Sequence, residues 1–394
     1  MRSHNLVVTL STLSLLAACA DQPTAPAAPD AAPRLAQAGA CAASPTYVVH
    51  TDPELRAALA SAGAGDVIAV SGTIALDSVV VVETAGVTIT CAERGAGLEF
   101  APGNRDILLD LYADGITVSG LRLDAEYGYS PFLALTPDAD GMQDIRLIGN
   151  DVECGYFFCL FAVGVPGIQI TDNHFEGENT RYGLQIQGVV RRSDGSYTGG
   201  SDGAVITRNV IENEGGYPGV YGGIRVRDGV GVTVTHNDVL GDWSNGIVLT
   251  NIYDSRVEHN RVDGALLDGI DLAMIVANRV SVSNVSFKAN RISNSGRTGI
   301  GVRGACYNTF QGNNVNDNAV GARFEHNTGA NVWRGSNEVV QDGGAFDCDL
   351  DGDIDPNQIS GVQSQPLPDT LPGLSLSASA AQATAGRRGL PAVQ

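Results

Sequence analysis

An asparagine-centred repeat constrains this chain more than any other feature. A short alternating strand leads to Asn and is followed by further β-branched residues. It recurs as RLIGNDV (146–152), IQITDNHF (168–175), AVITRNVI (204–211), VTVTHNDV (232–239), SRVEHNRV (255–262), VSFKANRI (285–292) and NTFQGNNV (308–315). The asparagines are Asn150, Asn173, Asn209, Asn237, Asn260, Asn290 and Asn313, spaced by 23, 36, 28, 23, 30 and 23 residues. GVTITC (86–91) and GITVSG (115–120) are earlier versions, with Cys91 and Gly120 at the Asn position. Each repeat holds a second strand opening with Gly and an aliphatic residue: GLQIQ (183–187), GIRVR (223–227), GIVLT (246–250), GIDLA (269–273), GIGVR (299–303) and the weaker GARFE (321–325). Two or three short strands per unit, with no helix between them, cannot form a βαβ crossover, which needs about 30 or more residues. They suit one coil of a solenoid. The expected fold class is therefore all-β, a right-handed parallel β-helix of about ten coils spanning residues 46–345.

In such a coil the strands of successive turns stack about 4.8 Å apart, so inward residues form aliphatic columns. An Asn at a tight turn can satisfy buried backbone groups and bond the Asn above and below. The asparagines are accordingly expected to be scaffold, with Asn173, Asn209, Asn237, Asn260 and Asn290 in one internal column. Upstream, Thr51-Asp52-Pro53-Glu54 followed by LRAALASAGAGD reads as a capped amphipathic helix stopped by glycines, and VIAV (67–70) as the strand after it. A helix across the open end of the first coil would blunt its strand edges.

The rest of the chain divides by composition. Arg2 and His4 precede an apolar run from Leu6 to Ala18, too short for a comfortable membrane span. It ends in Leu16-Ala17-Ala18-Cys19, which resembles the lipobox of bacterial lipoproteins. That resemblance implies a signal peptide over 1–18, lipidation of Cys19 and, since Ala20 is not Asp, the outer membrane. An ordinary signal peptide cut after Ala18 or Ala20 is the alternative. Residues 19–45 carry the Cys and an Ala/Pro/Asp-rich tether, 346–360 form an acidic turn region, and 361–394 read as a disordered tail. Six cysteines remain in the mature body, Cys41, Cys91, Cys154, Cys159, Cys306 and Cys348, and an even count in an exported chain reads as disulfides. Sequence does not choose among the connectivities; spacing favours Cys41–Cys91, Cys154–Cys159 and Cys306–Cys348. The net charge of −20, with Lys288 the only lysine, argues against nucleic acid and a basic membrane-binding face, and for solubility outside the cell.

The capped helix followed by a "GD-apolar strand-GTI" opening resembles the start of the pectin lyase-like family, over roughly residues 46–345. In that family the cleft lies on one parallel sheet, which by order within the coil corresponds to the Gly-aliphatic strands here. Alternation turns Gln185, Gln187, Arg225, Arg227, Val248, Thr250, Asp271, Ala273, Arg303, Arg323 and Glu325 outward on that sheet. Arg225, Arg227, Asp271 and Arg303 are the candidate catalytic residues. Tyr182, Tyr221, Trp243, Arg323 and Glu325 are the candidate substrate contacts, because aromatic faces suit sugar rings at a wet surface. A lyase would neutralise a uronate with arginine or Ca²⁺ and remove a proton with a base; a hydrolase would need two carboxylates, for which Asp268, Asp271 and Glu325 are nearest. Neither the Asp-Asp pair, the Gly-His-Gly and Arg-Ile-Lys segments of polygalacturonases nor the DPHE-like signature of mannuronan epimerases is present. Asp347, Asp349, Asp351 and Asp353 resemble the start of an EF-hand loop, but Gln358 stands where that loop requires Glu. No cofactor is required by this reading, and Ca²⁺ is the one the sequence leaves room for. The expected partner is a polysaccharide, met by a monomer touching membrane only through its lipid. Two functions stay open: a carbohydrate-active surface protein that binds, and cleaves or epimerises, a polysaccharide; or a non-catalytic adhesin or display element.

Overall fold

The computed structural model describes residues 41–360, apart from 104–105, 127, 136–141, 192–196, 199, 216–221, 274–280, 326, 336, 338, 343–345 and 350–353. The signal segment, Cys19, most of the tether, the tail, Tyr221, Asp351 and Asp353 therefore lie outside the described residues. The body is a right-handed parallel β-helix. Its strands fall into three long parallel sheets, of 13, 9 and 14 strands among the described residues. The first sheet holds the strands that lead into each Asn, such as Thr233–Thr235 and Arg256–Glu258. The second holds those that follow it, such as Asp238–Gly241 and Arg261–Asp263. The third holds the Gly-aliphatic strands, such as Tyr182–Gln187, Ile224–Val230, Ile247–Tyr253, Asp268–Leu272 and Thr298–Val302. The first sheet starts at Tyr47–Val49 and continues to Gln358–Ser360, which pairs with Val332–Arg334.

The asparagine column exists as one hydrogen-bonded ladder. At each rung the Asn Nδ2 donates to the Oδ1 of the Asn in the next coil, and the backbone N–H donates to that same oxygen. From Asn209 to Asn237 both distances are 3.0 Å, and from Asn237 to Asn260 both are again 3.0 Å. The second Nδ2 hydrogen goes to a strand carbonyl, Ile206 O for Asn237 at 2.9 Å. The ladder runs from Asn150 to Asn313, and its members are no more than 4% exposed. Its cost is local. The residue before each Asn sits in the left-handed region, including Asp172 (φ 57°), Arg208 (φ 55°), His236 (φ 57°) and His259 (φ 57°), where an L side chain is strained by about 1 kcal/mol. The amide bonds offset this strain. A second ladder, which sequence reasoning missed, turns the chain into the first sheet at the C-terminal end: Asn308 bonds Asn331 at 2.9 Å and Asn331 bonds Asn357 at 2.9 Å.

The repeated glycines have a packing cause. A Cβ on Gly246 would lie 2.2 Å from Val262 Cγ1, and one on Gly269 would lie 2.1 Å from Ile292 Cγ2. At this corner the third sheet runs so close to the core of the second that no side chain fits. Inside, aliphatic columns give way near the C-terminus to stacked rings, Phe287–Phe310 at 4.7 Å and Phe310–Trp333 at 5.5 Å. The helix α1 (Asp52–Ser61) has Thr51 as N-cap, with Glu54 N–H donating to Thr51 Oγ1 at 3.4 Å and Glu54 accepting from His50 N–H at 2.7 Å. Leu55 and Leu59 anchor it in the core. The disulfides are Cys41–Cys91, Cys154–Cys159 and Cys306–Cys348, the pairing that spacing favoured.

Candidate functional site

Parallel pairing without register shifts lines up one outward residue from each coil of the third sheet. In register the file runs Asp110, Leu133, Phe161, Gln185, Arg225, Val248, Asp271, Gly301 and Arg323. Gln187, Arg227 and Thr250 form a second file two residues further along the strands. The face thus has three zones.

The first zone is aromatic. Tyr129 stacks on Phe157 at 4.9 Å between ring centroids, Phe158 on Tyr182 at 4.9 Å, and Phe158 on Phe161 at 4.7 Å. The Arg181 guanidinium lies over Tyr156 and Phe157 at 5.2 and 5.1 Å, a cation–π arrangement. Tyr182 is half-buried inside this cluster, and Tyr156 is 48% exposed at its edge. Of these residues sequence reasoning named only Tyr182, because the strand Phe158–Val163 lacks the Gly-aliphatic opening. The adjacent CGYFFC segment closed by Cys154–Cys159 was the available signal. Asp110, one coil before Leu133, has its pKa raised to about 6 by burial and then by Asp106.

The second zone is polar. Gln185 Nε2 donates to Gln187 Oε1 at 3.1 Å. Arg225 and Arg227 follow in the next coil, and Arg227 Nε lies 3.3 Å from Asp228. Burial pushes the Asp228 carboxyl above the usual carboxylate range, opposed by a 2.7 Å hydrogen bond from Asn251 and by both arginines.

The third zone is a paired charge network. Asp268 is fully buried and receives Arg297 Nε at 2.9 Å and Arg303 Nη2 at 2.9 Å, with a further short contact from Arg297 Nη2. Arg303 Nη2 also reaches Asp271 Oδ1 at 2.5 Å. Gly301 makes room for this, since a Cβ there would come 3.0 Å from Asp268 Oδ2. Burial lifts the Asp271 pKa to about 6 against the pull of Arg303, so this carboxyl can exchange a proton near neutrality. Asp268 and Asp271 share one arginine nitrogen and Asp268 is fully buried, so the two do not face each other across an open cleft. Hydrolysis needs carboxylates on opposite sides of the bond. One coil on, Arg323 is held by Asp342 at 2.8 Å, with Glu325 3.6 Å away. Arg297, absent from the sequence reading, lies in the turn before its strand rather than at an alternating strand position.

Two candidates need correction or restriction. Trp243, expected on the rim of this face, is 1% exposed and belongs to the core. It occupies the space that Gly223 leaves open, where a Cβ would be 3.0 Å from the indole, and its Nε1 points to Ile211 O at 3.5 Å. Tyr221 lies outside the described residues. At the C-terminal turn, Asp347, Asp349 and Asp355 bring one carboxylate oxygen each within 4.8 Å of one another. Asp355, which also accepts from Cys348 N–H at 3.0 Å, was not part of the sequence pattern.

Residues 159–346 match the family described as the right-handed beta helix region. No curated protein matches the chain. Among solved structures it is similar to an alginate lyase from Paenibacillus sp. str. FPU-7, at 13% identity and a TM-score of 0.44, covering 80% of this chain and 99% of that one. It is also similar to the Dettilon tailspike protein, at 12% identity and a TM-score of 0.43, covering 74% and 58%. A periplasmic alginate epimerase gives 11% identity and a TM-score of 0.43, covering 77% and 76%.

Proposed function

We propose that this chain is an exported surface protein that binds a polysaccharide along the outer face of its third sheet. One observation carries the reading: stacked aromatic rings, amides and guanidinium groups follow one another in register along a single face. Rings supply stacking area for pyranose faces, and amides and arginines supply fixed partners for hydroxyl and carboxylate groups. Three disulfides support an oxidising compartment, and the Leu-Ala-Ala-Cys19 sequence supports a lipid anchor in the outer membrane. For a bound chain to be cleaved or epimerised, Asp271 is the group able to take a proton near neutral pH, with Arg303 beside it. Ca²⁺ at Asp347, Asp349 and Asp355 would stiffen the C-terminal turn.

The adhesin or display reading is favoured by a different observation. Arg303 and Arg323 are already paired with carboxylates, which leaves them less available to a uronate. One screen separates the two. The purified mature chain is tested on acidic and neutral polysaccharides, with and without Ca²⁺, for binding by affinity electrophoresis and for new reducing or unsaturated ends. Binding with product formation supports the enzyme, and binding alone supports the adhesin. Retardation by no polysaccharide overturns the proposal.

A further inference from the structure

The charges on the outer face of the third sheet balance one another. Among the described residues its arginines beyond the aromatic zone are Arg225, Arg227, Arg297, Arg303 and Arg323, and each has a carboxylate of the chain near it. Arg227 Nε lies 3.3 Å from Asp228, whose carboxyl also feels the charge of Arg225. Arg297 and Arg303 converge on Asp268, and Arg303 also reaches Asp271. Arg323 Nη2 lies 2.5 Å from Asp342, with Glu325 3.6 Å from its Nε. The only lysine, Lys288, is on the first sheet. A polyuronate carries a charge on every sugar, so a site for it needs a surplus of positive charge. These residues provide none, on a chain of net charge −20. An arginine held by a carboxylate still has N–H groups to donate, and the carboxylate still has lone pairs to accept, which suits hydroxyls.

The aromatic zone sets one ring apart. Tyr129, Phe157 and Tyr182 are piled in successive coils at 4.9 and 5.8 Å, so they cover one another's faces. Tyr156 is tilted 66° from Phe157 and is 48% exposed. Its backbone is fixed from both sides within the loop that Cys154–Cys159 closes. The Tyr156 N–H donates to Gly128 O at 2.9 Å, and the Tyr156 carbonyl accepts from Arg181 N–H at 3.2 Å. A held, half-exposed ring offers stacking area with little left to order on binding. Resting on the polysaccharide reading above, we propose that the polymer this face takes is uncharged, with Tyr156 stacked on a pyranose ring and the arginine–carboxylate pairs meeting hydroxyl groups. Arg225 stands two coils, about 10 Å, from Phe161, a distance that a few linked sugars span.

The test is affinity electrophoresis of the mature chain, Tyr156→Ala and Tyr156→Phe, beside a thermal melt of each. The gels hold neutral polymers (glucan, mannan, galactan, xylan and rhamnan) or polyuronates (polygalacturonate and polymannuronate). The expected result is retardation of the wild type by a neutral polymer and by neither polyuronate. Its affinity should change by less than about twofold when salt rises from about 0.02 to 0.5 M, because no ion pair with the ligand is there to be screened. Tyr156→Ala should bind at least tenfold more weakly while melting with the wild type, and Tyr156→Phe should keep the affinity. Retardation by a polyuronate, weakening as salt rises, overturns the uncharged assignment and leaves the polysaccharide reading standing. Neutral binding that Tyr156→Ala leaves unchanged overturns the site. Retardation by none of the polymers overturns this inference and the polysaccharide reading together.

Discussion

Removing one rung of the asparagine ladder gives a measurable estimate of what the ladder contributes. Asn237→Ala deletes four hydrogen bonds: Nδ2 to Ile206 O at 2.9 Å, Nδ2 to Asn260 Oδ1 at 3.0 Å, and two from Asn209 N–H and Nδ2 to Asn237 Oδ1 at 3.0 Å. Not all the partners are stranded. Asn260 Oδ1 keeps the Asn237 backbone N–H at 3.0 Å, and Asn209 Nδ2 keeps Ile170 O at 2.8 Å. The Asn209 backbone N–H and the Ile206 carbonyl lose these bonds in a site that is essentially dry. At about 1–3 kcal/mol for each stranded group, the expected loss is about 3 kcal/mol. Asn237→Asp keeps the acceptor but turns the donor into an oxygen facing Ile206 O and Asn260 Oδ1. It should be at least as damaging at pH 7, with partial recovery as falling pH protonates it. Urea unfolding with the disulfides intact, followed by the fluorescence of buried Trp243 and Trp333, reads both variants. A loss under about 0.5 kcal/mol for Asn237→Ala would refute the argument that the amides offset the cost of the turns.

Two further predictions concern charge. On the outer face of the second sheet Glu99, Asp124, Glu153, Glu176 and Glu212 stand in register, with Arg122 3.7 Å from Asp124 and 3.8 Å from Glu153. The Glu153 pKa is raised by burial first and then by Asp124 and Glu126, so its ionisation disfavours the fold as pH rises through that value. Glu153→Gln should therefore stabilise the protein by about 0.5 kcal/mol at pH 7 and low salt, less at high salt or low pH, and an unchanged urea midpoint would count against it. For Asp271, raised from 3.8 to about 6, the favourable contribution of the neutral form is complete below pH 3.8 and is lost as pH rises through about 6. The stability of the wild type relative to Asp271→Asn should then fall by up to about 3 kcal/mol between pH 3.5 and 7, at about 1.4 kcal/mol per pKa unit, and parallel pH profiles would contradict this.

The repeat alone determined the coil, because a solenoid reuses one local rule. An Asn that must bond its copy above and below has to recur at the same place in every turn, and outward positions follow from strand alternation. Asn150 to Asn313, the helix cap at Thr51 and the outward file through Gln185, Arg225 and Asp271 were therefore legible in the sequence. The second ladder at Asn308, Asn331 and Asn357 was not, since it appears in only a few coils. What lies next to what across a corner is a property of packing rather than of sequence period. Only the tertiary structure placed Trp243 in the core, because the space it fills is made by the glycine of a different strand. Only the tertiary structure paired Arg297 and Arg303 with Asp268, because residues 29 and 35 positions apart meet where Gly301 lacks a side chain. And only burial, which no residue type carries by itself, separates Gln185 from the solvated amide it would be on an open sheet.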